Sequence, residues 1–550
     1  MTFINSLLGR SIAAGCLSAF IAISATAQEI RSIDKSVYDN VPFEMEQVKT
    51  VSFPDYKVNI KDFGAVADGT TLCTEAINKA IRDVNKHGGG VVVIPTGMWL
   101  TGPIEMLSNV NLYTEQNAMV LFTGDHTKYE VVETIFEGIK TFRCQSPIFA
   151  KDAENIAITG KGIFDGNGWT WRAIKKSKLT ESEWKKIKAR KYGYIQEDRQ
   201  WFPSEASYKG YKMCTNFNNP DGLKTKAEWE AIRDWLRPVL VDFVGCKRVL
   251  FQDATFRNSP SWCLHPMMCQ DVILNNVTVY NPWNAQNGDA LDLESCDRAL
   301  ILNSTFDAGD DAICIKSGKD AEGRKRNAPC KNVIAKNNTV YHGHGGFVVG
   351  SEMSGGAYNI LIENSTFIGT DIGLRFKSTR GRGGVVKNIY CRNINMFEIA
   401  GENIIFNLYY GGKDPLSAGN GETTSEAIPE VNEGTPCFRD IYISNIICHG
   451  GNRAFFFNGL PEMPINNINL DNVKIIDAQR SAEICQGENI SINNVTVTTK
   501  DGSPAIKIKN ATNVKVNGKN IKKIDSKGKE LYKRKRLSEN DSLFTFIFRC

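Results

Sequence analysis

Asn276-Val-Thr-Val279, Asn303-Ser-Thr-Phe306, Asn337-Asn-Thr-Val340 and Asn364-Ser-Thr-Phe367 repeat one short pattern: Asn, any residue, Thr, then an apolar residue. The pattern begins earlier as Asp253-Ala-Thr-Phe256. It continues, loosened at its third place, as Asn393-Ile-Asn-Met396, Asn445-Ile-Ile-Cys448, Asn472-Val-Lys-Ile475 and Asn494-Val-Thr-Val497. Most steps lie between 22 and 34 residues. A repeat of that length, built of short β-branched runs without a helical period, is one coil of a solenoid. We therefore expect an all-β chain folded as a parallel β-helix, with strands about 4.8 Å apart from coil to coil. The recurring Asn has a physical reason. It tolerates the left-handed conformation at a corner, and its amide can bond the equivalent Asn of the next coil.

Outward from the repeat, three stretches depart from it. Thr74 to Lys86 reads as an amphipathic helix, followed by Gly88-Gly-Gly90 and the strand Val91 to Ile94. Placed over the first coil, the helix would cover an open sheet edge. Residues 172–237 turn helical, with capping-box pairs Thr180/Glu183 and Thr225/Glu228 opening two of the stretches. The longest step, Asn393 to Asn445, holds a polar, Gly-rich insertion at 411–434. Residues 1–27 have the Arg10 flank, the apolar run Ser11 to Ala25 and the Ala25-Thr26-Ala27 cleavage pattern of a secretory signal. A single domain then spans 28–518. The tail, 519–550, carries nine basic and two acidic residues between Lys519 and Arg536, more than the whole net charge of +5. The expectation for it is a solvated, frayed end. The 15 cysteines show no metal-ligand spacing, and most sit in apolar strand patterns as small packing residues.

Four polar clusters fall about one coil apart: Asn287-Gly288-Asp289, Gly309-Asp310-Asp311, His342-Gly343-His344-Gly345 and Arg375-Phe376-Lys377. Equivalent coil positions stack, so Asp289, Asp310, His344 and Arg375 are expected to form one column roughly 14 Å long, the length of two to three sugars. Glycosidic cleavage needs one protonated and one ionised carboxyl in a groove. Crowding Asp289, Asp310 and Asp311 would raise at least one of them by like-charge repulsion. Arg375 and Lys377 alternate with Phe376, so both point to one face, where two cations would bind a sugar carboxylate.

In this order the clusters resemble the signature of glycoside hydrolase family 28, the polygalacturonase family, with Gly288 for Thr and Phe376 for Ile. Phe63-Gly-Ala-Val-Ala-Asp-Gly69 and Gly88-Gly-Gly-Val-Val-Val-Ile-Pro95 resemble the start of the wider pectin-degrading β-helix group, and Gly350-Ser-Glu-Met-Ser-Gly-Gly356 resembles bacterial exo-acting members. The resemblance implies a right-handed β-helix and inverting hydrolysis of α-1,4-galacturonosyl bonds. Asp310 is then the general acid, Asp289 and Asp311 activate water, and His344 supports the acid. Arg375 and Lys377 hold galacturonate, with Asn287 beside them. A sugar-packing tyrosine falls at Tyr409 or Tyr410, and strand alternation puts only one of them in the groove. Asn258, Trp262 and His265 either line the neighbouring subsite or pack along the strand edge. No metal or cofactor is implied. The expected partner is a pectic polysaccharide or oligogalacturonide rather than nucleic acid, with no membrane span, a monomeric state, and a periplasmic or extracellular location. The competing readings are a calcium-dependent pectate lyase, a rhamnogalacturonan-type hydrolase, and a non-catalytic glycan-binding β-helix. Exo action is favoured over endo, because the insertions at 172–237 and 411–434 could wall off one end of the groove.

Overall fold

The computed structural model describes residues 30–411, 428–500 and 506–520. The chain winds as a right-handed parallel β-helix. One sheet of 12 parallel strands runs from Ile104–Glu105 to Ile506–Lys509, and a larger sheet of 23 strands carries the remaining sides of the coils. Each coil lays one strand on the last. Leu291 pairs with Ile313, Ile313 with Phe347, Phe347 with Leu374 and Leu374 with Ile404.

The repeat explains the interior. The apolar residue ending each motif pairs with its equivalent in the next coil, from Phe256 through Val279, Phe306, Val340, Phe367, Met396 and Cys448 to Ile475. All are buried. Each contributes about 1.5–3 kcal/mol for the larger side chains by leaving water. The Thr before it points the other way, as strand alternation requires.

The motif Asn residues sit at the corners with positive φ, 52° at Asn303 and 54° at Asn445. Their amides form the expected ladder. Asn337 donates to Asn303, Asn445 to Asn393, Asn472 to Asn445 and Asn494 to Asn472, at 2.8–3.2 Å. Asn303 departs from the pattern by donating to Asn275 rather than Asn276. A second ladder, which the sequence reading missed, runs Asn388 to Asn359 to Asn332 to Asp297 at another left-handed corner. Asn445→Ala should cost about 1–3 kcal/mol in urea unfolding, since it strains the corner and removes two amide bonds. Asn445→Gly keeps the corner and should cost less.

α1 (Thr74–Lys86) has the bounds read from the sequence and buries Ala76, Ile77, Ala80, Ile81 and Val84 over the first coil. The N-terminal segment is a further cover. Val37 and Val51 lie on outward-facing Leu250, Ile273, Leu300 and Ile334 of the large sheet. The region 172–237 contains α2 (Glu181–Lys188), α3 (Glu205–Lys212) and α4 (Lys226–Glu230), and both capping boxes form. It also holds short antiparallel ladders, and it packs through Trp171, Phe202 and Trp235 on a hairpin, Val131–Phe136 with Ile139–Cys144, that sequence reading missed.

The signal at 1–27, most of the 411–434 insertion and the tail beyond Asn520 lie outside the described residues. Among the described residues, no helix is long and apolar enough to cross a membrane. Thirteen described cysteines are free thiols, and all but Cys214 and Cys437 are buried, as packing residues should be.

Candidate active site

The coil register brings the polar clusters together, but not in the expected column. Leu291 pairs with Ile313, so Asp289 stands level with Asp311, not Asp310. Asp311 pairs with Gly345, which sets Asp310 level with His344. Arg375 pairs with Val348, three residues further along its strand. Motifs one coil apart in sequence are therefore offset along the strands, and side-chain length closes the gap. Arg375 Nη1 reaches back to Asp311 Oδ1 at 3.1 Å and to the His344 carbonyl at 3.2 Å. Lys377 Nζ lies 2.6 Å from Asp311 Oδ2. His344 Nδ1 is 2.9 Å from Asp310 Oδ1. Oxygens of Asp289, Asp310 and Asp311 all lie within 4.8 Å of one another. Phe376 turns inward and stacks on Phe406 with centroids 4.4 Å apart.

Both tyrosines lie in the turn after the strand Glu402–Asn407, where strand alternation does not apply. Tyr410 lies beside the cations, its ring 4.9 Å from Lys377 Nζ and 5.7 Å from the Arg375 guanidinium. Tyr409 is buried in the core, under Arg380.

Residues 230–428 match the model of the glycosyl hydrolases family 28, and residues 57–202 match that of rhamnogalacturonase A/epimerase, pectate lyase-like. The chain is 28% identical over 478 residues to an exo-poly-alpha-D-galacturonosidase of Dickeya chrysanthemi, covering 84% of this chain and 75% of that protein. A family 28 exopolygalacturonase of Yersinia enterocolitica superposes with TM-score 0.68 at 25% identity, covering 85% of this chain and 80% of that one. A hyperthermoactive exopolygalacturonase of Thermotoga maritima superposes with TM-score 0.62 at 30% identity, covering 86% of this chain and 95% of that one. This chain belongs to glycosyl hydrolase family 28.

The electrostatics of this family 28 glycosidase divide its carboxyls. Burial, with Asp292 and Asp310 nearby, pushes Asp289 well above the ordinary range, and its Oδ1 has no protein partner. Burial also pushes Asp311 up, but Lys377, Arg375 and Lys316 outweigh it and hold Asp311 well below the usual value. The surroundings thus favour the charged form of Asp311 and the neutral form of Asp289. Asp310 is half-buried, whereas the other two are buried, so it is the carboxyl that reaches the groove. Its bond to His344 raises that imidazole above its ordinary value. A proton is thereby held between His344 Nδ1 and Asp310 Oδ1.

Beneath the site lies a buried charge network that the sequence reading did not single out. Lys316 contacts Glu352 at 3.0 Å and Asp292 at 3.4 Å. Burial pushes Asp292 up to about 7. The signal was available, because Leu291-Asp-Leu-Glu294 places two charges at alternate strand positions and Lys316 stands level with Glu294 in the next coil.

The expected neighbouring subsite is filled by protein. Cys263 N donates to the Asp289 carbonyl, so Trp262 sits one coil below Asp289. Phe136 of the hairpin stacks on it, with centroids 5.2 Å apart, and both rings are buried. His265 is buried between Asp242 and Glu294, whose bonds outweigh its burial and push it up to about 10. Asn258 accepts from Arg172 and donates to Asp165. All three residues therefore support the floor and do not line an open subsite. Asn287 is also engaged, accepting from Arg237 at 2.9 Å and from Asn218 at 3.2 Å. Hairpin and insertion together make a wall beside Asp289. It is tied down where Lys319 N donates to Gly138 O and Lys140 N to Glu322.

Proposed function

We propose that this glycosidase hydrolyses α-1,4-galacturonosyl linkages of pectin by inversion, releasing product from a chain end. The observation that carries the reading is the carboxyl cluster, in which Asp311, paired with Arg375 and Lys377, lies within 4.8 Å of the buried Asp289 and of the groove-facing Asp310. Environments that push neighbouring carboxyls apart mark acid and base. Asp310 donates the proton to the leaving oxygen, because a sugar can reach it and His344 keeps the proton at hand. Asp311 accepts a proton from water, which is small enough to reach a buried oxygen. Asp289, whose burial favours its neutral form, orients that water. This modifies the shared role that family resemblance implies for Asp289 and Asp311. Arg375, Lys377 and Tyr410 form the galacturonate-binding edge. The printed names of the Dickeya, Yersinia and Thermotoga relatives support this substrate class.

The oxygens lie closer than the roughly 6.5–9.5 Å carboxyl separation usual for inverting enzymes. Inversion is instead what the likeness to glycosyl hydrolases family 28 supports. The cluster is a poor fit to calcium-assisted elimination. Lys377 and Arg375 already neutralise Asp311 and repel a second cation. Arg375 is held above its ordinary value despite burial, mainly by Asp311, so it is a poor base. Exo action follows from the wall, since Trp262 and Phe136 fill the coil below Asp289. The N-terminal pattern at 1–27 supports export.

The test is digestion of polygalacturonic acid with EDTA present, following reducing ends, ultraviolet absorbance, product size and the first-formed anomer by NMR. Reducing ends without absorbance, monomer from the start and an inverted anomer are expected. An unsaturated, calcium-dependent product would replace hydrolysis by elimination. Long oligomers at early times would refute the chain-end reading.

A further inference from the structure

The wall ends in one residue that packing does not explain. Phe217 lies at the tip of the short ladder formed by Cys214–Asn216 and Asn219–Pro220. Its φ is 51°, in the left-handed region that a bulky side chain rarely adopts. Its side chain is 53% exposed. The fold thus holds a large apolar ring in an unfavourable backbone conformation and leaves it in water. Strain and exposure of this kind gather at ligand clamps.

The surroundings of the ring are well defined. Lys319 Nζ stands 4.0 Å from the Phe217 centroid and is itself fixed by a bond to Asn216 Oδ1. The next residue, Asn218, binds Glu137 of the hairpin and Asn287, two residues before Asp289. Lys319 is three residues past Lys316, at the end of the strand that begins with Asp311. Hairpin, insertion and site strand therefore converge on this tip. With Lys319 on one side, the exposed part of the ring is available on the other.

We propose that Phe217 is an aromatic platform for the terminal uronate ring at the closed end of the groove. The inference rests on the chain-end reading above. A galacto-configured pyranose has an axial O4, which leaves H3, H4 and H5 together as an apolar patch on one face. Such a patch packs on an aromatic face, and the carboxylate remains free for hydrogen bonding. An end residue has no further sugar beyond it, so a single platform against a wall selects for a terminus.

The test compares Phe217→Ala, Phe217→Gly and Phe217→Tyr on trigalacturonate and on polygalacturonate. Loss of the ring should lower kcat/KM about fivefold to tenfold, mainly through KM, and Tyr should restore it. Glycine separates binding from folding. It accepts the left-handed corner, so Phe217→Gly should keep or raise Tm while losing the same factor in kcat/KM. A Phe217→Ala enzyme within about twofold of wild type overturns the platform. So does a loss in which Tm falls alongside for both small variants, because that marks a structural role. The same substitutions in an Asp310→Asn background, titrated with trigalacturonate, report Kd without turnover. The platform is thus scored even where wild type releases no reducing ends, the outcome that would refute the functional reading itself.

Discussion

Asp310→Asn is expected to lower kcat on polygalacturonate by about three orders of magnitude, within the usual range for loss of a positioned proton donor. The amide still accepts from His344 Nδ1 across the 2.9 Å contact, so geometry is kept while the transferable proton is lost. Thermal unfolding should not suffer, since the change removes one of three crowded acidic groups. The pH profile carries further information. In the wild type the proton held between His344 and Asp310 is lost as pH rises through the raised imidazole value, so activity falls on the alkaline side. In the variant that limb should no longer report the pair. A variant within about tenfold of wild type would show that another group donates. Asp289 would be the first candidate.

Lys377→Met should combine instability with lost activity. Lys377 is buried and 2.6 Å from Asp311, and removing one partner of a buried pair costs about 3–5 kcal/mol. Arg375 and Lys316 remain, so the lower end is expected. The sign with pH follows from Asp311. Its folded value lies below the unfolded one of roughly 3.9. Its pairing therefore stabilises the fold above that range, and the contribution is lost as pH falls through the folded value. With Lys377 gone the folded value rises, so both the acid limb of kcat/KM and the onset of acid unfolding should move to higher pH. Urea unfolding at neutral and at acid pH, beside a pH–rate profile, checks both. A loss under about 1 kcal/mol with an unmoved limb would mean that Arg375 and Lys316 suffice to hold Asp311 ionised.

The coil was legible because one physical problem recurs at every corner. A left-handed residue must be followed by an inward apolar side chain, and Asn303-Ser-Thr-Phe306 states that solution directly. The second amide ladder at Asn332, Asn359 and Asn388 solves the same problem with Asn, a β-branched residue, any residue and an apolar one, a repeat interleaved with the first. The chemical groups were legible too, since Asp289, Asp310, Asp311, His344, Arg375 and Lys377 do meet.

Their mutual placement was not. Spacing of one coil gives the coil but not the register, and a shift of one residue sets Asp289 level with Asp311 while His344 faces Asp310. Tyr409 and Tyr410 follow their strand in a turn, so the packing of Tyr409 into the core, and not alternation, decided for Tyr410. For Trp262, a candidate for the neighbouring subsite, Phe136 from more than a hundred residues earlier decided for packing. The sequence alone thus determined the solenoid and the inventory of the site, because both follow from local conformation and from residue type. The division of labour among the carboxyls and the closed end of the groove were decided only by tertiary structure, because burial, charge proximity and the meeting of distant insertions depend on what lies beside a residue in space.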